Sequence, residues 1–257
     1  MTNRRRDEIE NYIRIHKSAT VSELCDIFHV SDMTIRRDLI QLENENKVVR
    51  FHGGATSFKD SNEGQLDIRA GLSCDEKEEI AILAREYLSA YFKEEHPRII
   101  FLGSGSTVHK SSELLTLPED VIALTDNLPV ATQLSKNPDN SVIMLGGQIL
   151  PPSYNVVGYT AEEMIKSFSI DCAIIGTGAI DENGVLYMHN MLECSSMRSI
   201  LERAKRIILL ADHTKFGKTN AISLIQADEK FTIISDSGMS EKTIANLEKN
   251  HITVIRP

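Results

Sequence analysis

Short apolar runs alternate with helical stretches along most of the chain, and this alternation constrains the fold more than any other feature of the sequence. Runs of this length predict strands, and apolar residues throughout each run indicate burial on both faces. The predicted strands are Arg98–Leu102, Val121–Thr125, Ser141–Leu145, Asp171–Gly176, Arg206–Ala211, Phe231–Ser235 and Thr253–Arg256. The predicted helices include Asp75–Lys93, Pro129–Lys136, Thr160–Phe168, Leu192–Ala204 and Glu241–Lys249. This order predicts an α/β domain with a largely parallel sheet covered on both faces.

The first 55 residues show a different pattern, that of three short helices. Apolar spacing predicts a helix over Arg4–His16. Thr20 lies three residues before Glu23, which is the capping-box pattern at the start of a second helix. After a turn at His29-Val30, Ser31 is a suitable N-cap for a third helix. The expected buried positions are Ile9, Tyr12, Ile13 and Ile15, then Leu24, Ile27 and Phe28, then Ile35, Leu39 and Leu42.

The third helix carries polar side chains opposite its apolar stripe, namely Thr34, Arg36, Arg37 and Gln41. A short helix, a tight turn and a helix that exposes Thr and Arg form the helix-turn-helix arrangement, whose second helix enters the major groove of DNA. Arginine pairs with guanine or clamps a phosphate, and threonine contacts a phosphate or a thymine methyl. The alternative interpretation is a three-helix module that binds protein, with the two arginines on a solvated face.

The segment Lys47–Ala55 predicts a small hairpin, because two short β-prone runs flank a pair of glycines. Such a hairpin after three helices indicates the wing of a winged helix, and it places Arg50 and His52 near the DNA backbone or the minor groove. We therefore expect a DNA-binding surface that comprises Thr20, Ser31, Thr34, Arg36, Arg37, Gln41, Arg50 and His52.

The net charge of −9 is unevenly distributed. The first 55 residues hold nine basic and nine acidic side chains, so the excess acidity lies in the remainder and repels nucleic acid. DNA contact must then come from a local basic face. The basic start at Arg4–Arg6 is either a phosphate contact or a solvated end. It is followed by Asp7 and Glu8 rather than by the apolar core of a signal peptide, and no apolar run approaches a membrane span, so we expect a cytoplasmic protein.

A glycine- and serine-rich loop follows the first strand of the α/β region, at Gly103-Ser104-Gly105-Ser106-Thr107, and opens a helix. Backbone N–H groups at a helix start, together with hydroxyls, form a cradle for an anion. The loop matches neither a Walker A motif nor a dinucleotide fingerprint, so no ATP or NAD cofactor is expected. The alternative is a tight turn without a ligand.

Other strand ends carry polar or glycine-rich tips. Asp126-Asn127 follows the second strand, Gly176 and Gly178 follow the fourth, and Lys215 lies beyond the fifth. Because ligands of parallel sheets bind beyond the carboxyl ends of the strands, these tips predict one site for a small polar ligand. Lys215 supplies a point charge suited to a phosphate.

These segments resemble one known family. Val30–Leu39, which reads VSDMTIRRDL, and Arg50–Ala55, which reads RFHGGA, are similar to the signature of the DeoR family of bacterial regulators. The resemblance continues through Glu76-Lys77 and then through GSGST at Gly103–Thr107, TDNLPVA at Thr125–Ala131, LGG at Leu145–Gly147 and LLADHTKFG at Leu209–Gly217. It implies a winged helix-turn-helix joined to a sugar-phosphate-sensing α/β domain that resembles ribose-5-phosphate isomerase.

Scattered Gly, Ser, Asn and Asp without an apolar period predict a linker at 57–73. The resemblance implies that the domain before it, at 1–56, binds DNA and that the domain after it, at 74–257, senses an effector and oligomerises. It also implies a transcriptional repressor of carbohydrate metabolism genes, controlled by a phosphorylated sugar. The family's lysine four residues after Glu193 is replaced by Met197, Ser106 stands where threonine is frequent, and Asp126 precedes Asn127. The expected effector-binding residues are Gly103, Ser104, Gly105, Ser106, Thr107, Asp126, Asn127, Gly176, Gly178, Glu193, Arg198 and Lys215.

Two other functions remain open at this point. Asp126, Glu193, Asp212 and Lys215 suit proton transfer on a sugar phosphate, which would make the chain an isomerase-like enzyme with a vestigial DNA-binding module. Alternatively, the α/β domain only oligomerises. His189 has helical spacing from Glu193, but no cysteine or histidine cluster accompanies it, so no metal site is expected. A single small module contacts few phosphates, so a homo-oligomer, dimer or tetramer, is expected on DNA.

Overall fold

The computed structural model describes residues 2–45, 47–51, 53–57, 73–151 and 153–257. The chain divides into two compact units, Met1–Cys74 and Asp75–Pro257. Each unit has a hydrophobic core of its own. Every helix within the described ranges is too short or too polar to cross a membrane.

The N-terminal unit is a three-helix module with a small antiparallel sheet of strand order β1-β3-β2. Its elements are α1 (Thr2–His16), β1 (Ser18–Thr20), α2 (Val21–Phe28), α3 (Asp32–Asn44), β2 (Val48–Phe51) and β3 (Gly54–Ser57). This confirms the predicted winged helix-turn-helix. The sequence predicted only the two strands of the hairpin and not β1, which contains three residues.

The predicted linker began at residue 57, whereas β3 includes Ser57. Residues 58–72 lie outside the described ranges.

The core of the N-terminal unit contains the predicted stripe of α3, since Ile35, Leu39 and Leu42 are fully or almost fully buried. Two expected core positions were wrong. Ile15 is 65% exposed, because it lies two residues beyond the buried Ile13 and thus on the opposite side of α1. Ile27 is 42% exposed, because Val21 and Leu24 already fill the buried side of the two-turn helix α2; these two side chains are in the core.

The C-terminal unit is built on a seven-stranded sheet in which each neighbouring pair is parallel. The strand order is β15-β14-β12-β9-β4-β5-β6. These strands are β4 (Ile99–Leu102), β5 (Ile122–Thr125), β6 (Ser141–Met144), β9 (Ile170–Ile175), β12 (Ala204–Leu210), β14 (Phe231–Ile234) and β15 (Thr253–Ile255). They coincide with the seven predicted strands to within two residues at each end, so the predicted α/β class is confirmed.

Helices cover both faces of the sheet. They are α4 (Cys74–Glu95), α5 (Ser106–Leu114), α6 (Leu128–Leu134), α7 (Tyr159–Lys166), α8 (Met191–Arg203) and α9 (Glu241–Lys249). Strand β4 shows the two layers. Ile100 and Leu102 pack in the cluster that contains apolar residues of α4, α5 and α6, whereas Phe101 packs in the cluster that contains those of α7, α8 and α9. The continuous apolar runs follow from this burial on both sides.

Short strands outside the main sheet were not predicted. β7 (Gln148–Leu150) and β8 (Asn155–Val157) form an antiparallel pair. β10 (Ala179–Ile180), β11 (Val185–Met188) and β13 (Ile222–Gln226) form a small antiparallel sheet of that order. A single 3₁₀ turn, His213–Lys215, follows β12 within the described part of the chain. These strands lie in the connections between β6 and α7, between β9 and α8 and between β12 and β14, outside the alternation of apolar runs with helices from which the main sheet was predicted.

Candidate functional site

Helix α3 presents a polar surface opposite its buried stripe. Arg36, Arg37 and Gln41 are exposed on it, and Thr34 is half-buried. Ser31 is the N-cap of the helix, and its hydroxyl lies 3.0 Å from the hydroxyl of Thr34. The structure therefore brings these five predicted DNA-binding side chains to one helix.

The two arginines of this surface differ in whether the side chain is paired with a carboxylate. Arg36 is paired with Asp32 one turn earlier, with Nε 2.5 Å from Oδ1 and Nη2 3.2 Å from Oδ2. The side chain of Arg37 makes no hydrogen bond or ion pair with any residue that the structure describes. Arg37 can therefore meet a phosphate or a base edge without first breaking an ion pair.

Thr20 forms the predicted capping box with Glu23. The Thr20 hydroxyl accepts from the backbone N–H of Glu23 at 3.2 Å, and the Glu23 carboxylate accepts from the backbone N–H of Thr20 at 2.7 Å. These bonds from Thr20 hold the pKa of Glu23 below its usual value. The backbone N–H and the hydroxyl of Thr20 both take part in starting α2, so this residue has a structural role in the unit.

Removing this cap should cost stability. Thr20→Ala leaves the N–H of Glu23 without its acceptor, and we expect the free energy of unfolding to fall by about 1 kcal/mol. Chemical denaturation of the full chain measures the change. Thr20→Ser is the matched control, because serine retains the hydroxyl and should restore most of the loss. Equal stability of the alanine variant and the wild type would contradict the role of the cap.

The hairpin is joined to α3 through Arg50. Its backbone N–H donates to Glu43 Oε1 at 3.0 Å, and its Nε donates to Glu43 Oε2 at 2.8 Å. Arg50 therefore fixes the wing to the helix that carries Arg36 and Arg37. His52, the other predicted wing contact, lies outside the described residues.

The basic start of the chain is also partly structural. Arg5 Nε lies 2.6 Å from Oδ2 of Asp38, a carboxylate of α3 that is only 3% exposed as a residue. Arg6 approaches the other oxygen of Asp38 at 4.0 Å, whereas Arg4 pairs with Glu8 on the surface. Arg5 and Arg6 thus connect α1 to α3.

In the C-terminal unit, the loop Gly103–Thr107 joins β4 to α5, as predicted. Gly105 is the N-cap of α5 and has φ +117°, a left-handed conformation that favours glycine. Ser106 and Thr107 lie buried in the first turn of the helix. A Cβ on Gly103 would lie 3.3 Å from the Phe101 ring and 3.4 Å from Met197 Cε, so the backbone here is closely packed. The free N–H groups of the first turn make this loop a candidate anion cradle.

A hydrogen-bonded cluster of buried and half-buried polar side chains lies beside the loop. Asn155 Nδ2 donates to Ser104 Oγ at 3.0 Å and to Glu193 Oε1 at 3.1 Å. Ser153 donates its hydroxyl to the same Glu193 oxygen at 2.5 Å. Asn127 Nδ2 donates to Asn155 Oδ1 at 2.7 Å. The cluster therefore connects the anion loop to three other elements. Asn127 follows β5, Ser153 and Asn155 lie just before and at the start of β8, and Glu193 lies on α8.

Asp126, which directly precedes Asn127 of the cluster, is a buried carboxylate. The residue is 3% exposed, and its Oδ1 has no hydrogen-bond partner among the described residues. Burial and the nearby Glu193 carboxylate raise the pKa of Asp126 to about 7. An unpaired buried oxygen of this kind is unusual in proteins.

The structure places three other predicted effector residues, Gly176, Gly178 and Arg198, in different surroundings. Gly176 lies against the loop, since a Cβ there would be 3.2 Å from the Ser104 carbonyl oxygen. Gly178 lies instead beside Asn220, whose Nδ2 would be 2.7 Å from a Cβ on that glycine. Arg198 is directed to the small sheet: its Nε and Nη2 donate to the Leu224 and Ser223 carbonyls of β13 at 3.1 and 2.5 Å. The structure thus gives Arg198 a packing contact between α8 and β13, not a place in the polar cluster.

Lys215 ends the 3₁₀ turn that follows β12 and is half-buried. The turn is fixed at its start: Asp212 accepts from the Thr214 N–H at 3.0 Å, and Asp236 Oδ1 accepts from the His213 N–H at 2.6 Å. Because β12 and β4 are parallel members of one sheet, the turn and the loop Gly103–Thr107 lie at the same edge.

Two members of the cluster were missed from the sequence. Ser153 and Asn155 belong to the segment between β7 and β8, and neither strand has a recognisable pattern. A serine and an asparagine in a turn region are common without a ligand, so no signal in one sequence distinguishes them. His189, whose spacing from Glu193 was weighed against a metal site, has its Nε2 3.0 Å from Asn220 Nδ2. No group of potential metal ligands occurs within the described ranges.

Comparison with known proteins agrees with these two units. The family model of the DeoR-like helix-turn-helix domain matches residues 5–61, and that of the DeoR C-terminal sensor domain matches residues 73–237. A protein of Escherichia coli O157:H7, provisionally named as the transcriptional repressor of the aga operon, is 30% identical over 99% of this chain and 93% of its own length. The glycerol-3-phosphate regulon repressor of Escherichia coli (strain K12) is 28% identical over 91% of this chain and 90% of its own.

Among solved structures, ribose 5-phosphate isomerase A from Neisseria gonorrhoeae covers 55% of this chain and 54% of its own, at 16% identity and a TM-score of 0.37. The two family models together cover nearly the whole sequence. The chain belongs to the DeoR family of DNA-binding transcriptional regulators.

Proposed function

We propose that this regulator is a repressor of carbohydrate metabolism genes and that a phosphorylated sugar controls its affinity for DNA. The observation that carries this proposal is the partly buried polar cluster beside the loop Gly103–Thr107. Anion-binding N–H groups and hydroxyl-binding side chains lie next to each other there, which is the arrangement that a phosphate with an attached polyol requires. The relatives named above for the aga operon and the glycerol-3-phosphate regulon support the same class of genes.

At the DNA end, α3 lies in the major groove with Thr34, Arg36, Arg37 and Gln41 towards the bases and phosphates. A single module binds weakly at physiological salt, so the protein acts as a homo-oligomer. Paired modules require half-sites that are separated by whole helical turns of about 34–36 Å. We infer that this binding takes place in the cytoplasm.

At the effector end, the phosphate lies against Ser104, Ser106 and the first-turn N–H groups, with Lys215 as a positive charge. Asp126, Asn127 and Glu193 bind the sugar. The coupling between the two sites is reciprocal, so an effector that weakens DNA binding must itself bind less tightly when DNA is present. Titration calorimetry of the effector with and without operator DNA measures this coupling.

Replacing Lys215 tests the phosphate assignment. Lys215→Met should weaken binding of the tightest sugar phosphate by about tenfold or more, because a charge-assisted hydrogen bond is lost. A panel of ribose 5-phosphate, glucose 6-phosphate, fructose 6-phosphate and glycerol 3-phosphate identifies that compound by calorimetry. Lys218→Met is the matched control, since Lys218 is exposed three residues further along the chain. Unchanged affinity in Lys215→Met would exclude this contact.

An isomerase activity is the other function that the carboxylates allow. The matched relatives are named as regulators, and Glu193 already accepts two hydrogen bonds within the cluster. We therefore assign these carboxylates to ligand binding rather than to proton transfer. Conversion of ribose 5-phosphate by the purified chain would contradict this assignment.

A further inference from the structure

Asp38 is a buried carboxylate at the border of the polar surface of α3. Thr34 and Gln41 of that surface lie one turn before and one turn after it. Ile35 and Leu42 of the buried stripe lie one turn away on its other side. A carboxylate on a helix in the major groove can accept a hydrogen bond from cytosine, but the side chain of Asp38 is only 4% exposed. Asp38 therefore acts within the protein and not on a base.

Two arginines of α1 hold this carboxylate. Arg5 Nε donates to Asp38 Oδ2 at 2.6 Å, and Arg6 Nε lies 4.0 Å from Asp38 Oδ1. The side chains of Arg5 and Arg6 are 26% and 20% exposed, so water screens this group less than it screens a surface ion pair. Arg6 also lies 3.7 Å from Glu45, which follows the last residue of α3. The start of α1 thus contacts α3 at two places, two turns apart.

The rotation of α3 about its own axis decides which side chains meet the bases. Side-chain tips lie about 5–6 Å from a helix axis, so a rotation by about 20° displaces them by about 2 Å. A hydrogen bond to a base does not tolerate such a displacement, because donor and acceptor must lie within about 3.2 Å. Apolar packing has no preferred direction, whereas the bond between Arg5 and Asp38 is directional and charge-assisted. This bond therefore defines a rotation that the apolar stripe alone leaves less defined.

We propose that Asp38 is a positioning residue for sequence-specific DNA binding, and that Arg5 and Arg6 act through it. The carboxylate fixes the rotation at which the polar surface of α3 meets the bases. This role goes beyond the proposed function and uses from it the placement of α3 in the major groove. It has an unusual consequence, since a negative charge, which repels DNA phosphates, is then required for specific binding.

Asp38→Asn tests the proposal by anisotropy with the full chain on two DNAs. One DNA carries a site that the wild-type chain has selected from random sequence, and the other is unrelated DNA of the same length. Charge alone predicts tighter binding to both DNAs, because one negative charge is lost. We expect affinity for the selected site to fall about tenfold or more, as for a lost base contact, and affinity for unrelated DNA to stay or rise. Asp7→Asn, at an exposed position of α1, is the matched control and should keep the full preference.

The ratio of the two affinities separates positioning from support of the fold. Partial unfolding of Asp38→Asn would lower binding to both DNAs equally, so an equal loss would overturn the positioning role. A ratio within about twofold of the wild type in a folded Asp38→Asn variant would overturn it as well. The proposed function fails separately, because in that case the wild-type chain selects no site from the random pool.

Arg5 tests the same bond from its other end and decides the matter if Asp38→Asn does not fold. Arg5→Gln and Arg4→Gln remove the same charge from adjacent positions, but Arg4 pairs with Glu8 within α1. We expect the preference for the selected site to fall about tenfold in Arg5→Gln and to persist in Arg4→Gln. Arg5→Lys keeps the charge and should recover part of the preference. Equal preferences in Arg5→Gln and Arg4→Gln would contradict the proposal.

Discussion

Arg37→Ala is expected to lower the affinity for operator DNA by about tenfold to a hundredfold per module, with no change in effector binding. Arg37 is exposed on α3 and has no partner among the described residues, so its whole guanidinium is available to DNA. A bidentate contact with a base is worth about 1–3 kcal/mol, and each 1.4 kcal/mol is a factor of ten. Fluorescence anisotropy on DNA from the gene's own upstream region measures the change.

The matched control is Arg14→Ala, which removes the same charge from an exposed position of α1. It should leave operator affinity within about twofold. A parallel titration with unrelated DNA separates the two possible contacts. A loss confined to operator DNA indicates a base contact, and an equal loss on both DNAs indicates a phosphate contact. Normal operator affinity in Arg37→Ala would contradict the assignment of α3 as the recognition helix.

Asp126→Asn is expected to stabilise the protein at pH 8 and to leave its stability unchanged at pH 4. The pKa of Asp126 is raised from 3.8 to about 7 by burial and by Glu193. Between these values the unfolded chain loses the proton while the folded chain keeps it, so the folded state loses stability as the pH rises through this window. Asparagine does not ionise, so the variant is free of this loss.

The gain should amount to a few kcal/mol above pH 7, which corresponds to a rise in melting temperature of about 5 °C or more. Differential scanning calorimetry of the full chain at pH 4, 6 and 8 measures it. Asp139→Asn, at an exposed carboxylate in the loop before β6, is the control and should show no such pH-dependent gain. A variant Asp126→Asn that is no more stable than the wild type at pH 8 would show that Asp126 is not held in its buried, unpaired state.

The sequence predicts the secondary structure and the fold class of the protein better than it predicts the candidate effector site. All seven strands of the main sheet were predicted. Strands of a sheet that is covered on both faces are apolar along their length, and such runs can be recognised from a few consecutive residues. The capping box at Thr20 and the N-cap at Ser31 were predicted for a similar reason, since each depends on residues within one turn. Ile27 was misplaced because its exposure depends on which side chains fill the core beside α2, whereas the exposure of Ile15 follows from helical periodicity, which places it opposite Ile13.

The site depends on contacts between distant segments, and these were predicted only in part. The loop Gly103–Thr107 has a local signature, whereas the bond from Asn155 to Glu193 joins positions 38 residues apart in the chain. Arg198 was expected at the ligand because it directly follows Met197, the position at which the family commonly has a lysine. Its direction towards β13 is set by the fold of the small sheet, which left no pattern in the sequence.

The measurement that tests the account most directly is fluorescence anisotropy of the full chain on its own upstream DNA, repeated with each sugar phosphate and its unphosphorylated sugar. We predict specific, saturable binding whose midpoint is shifted at least tenfold by one phosphorylated compound and not by the corresponding free sugar. Specific DNA binding that no phosphorylated sugar shifts would contradict control by the site at Gly103–Thr107.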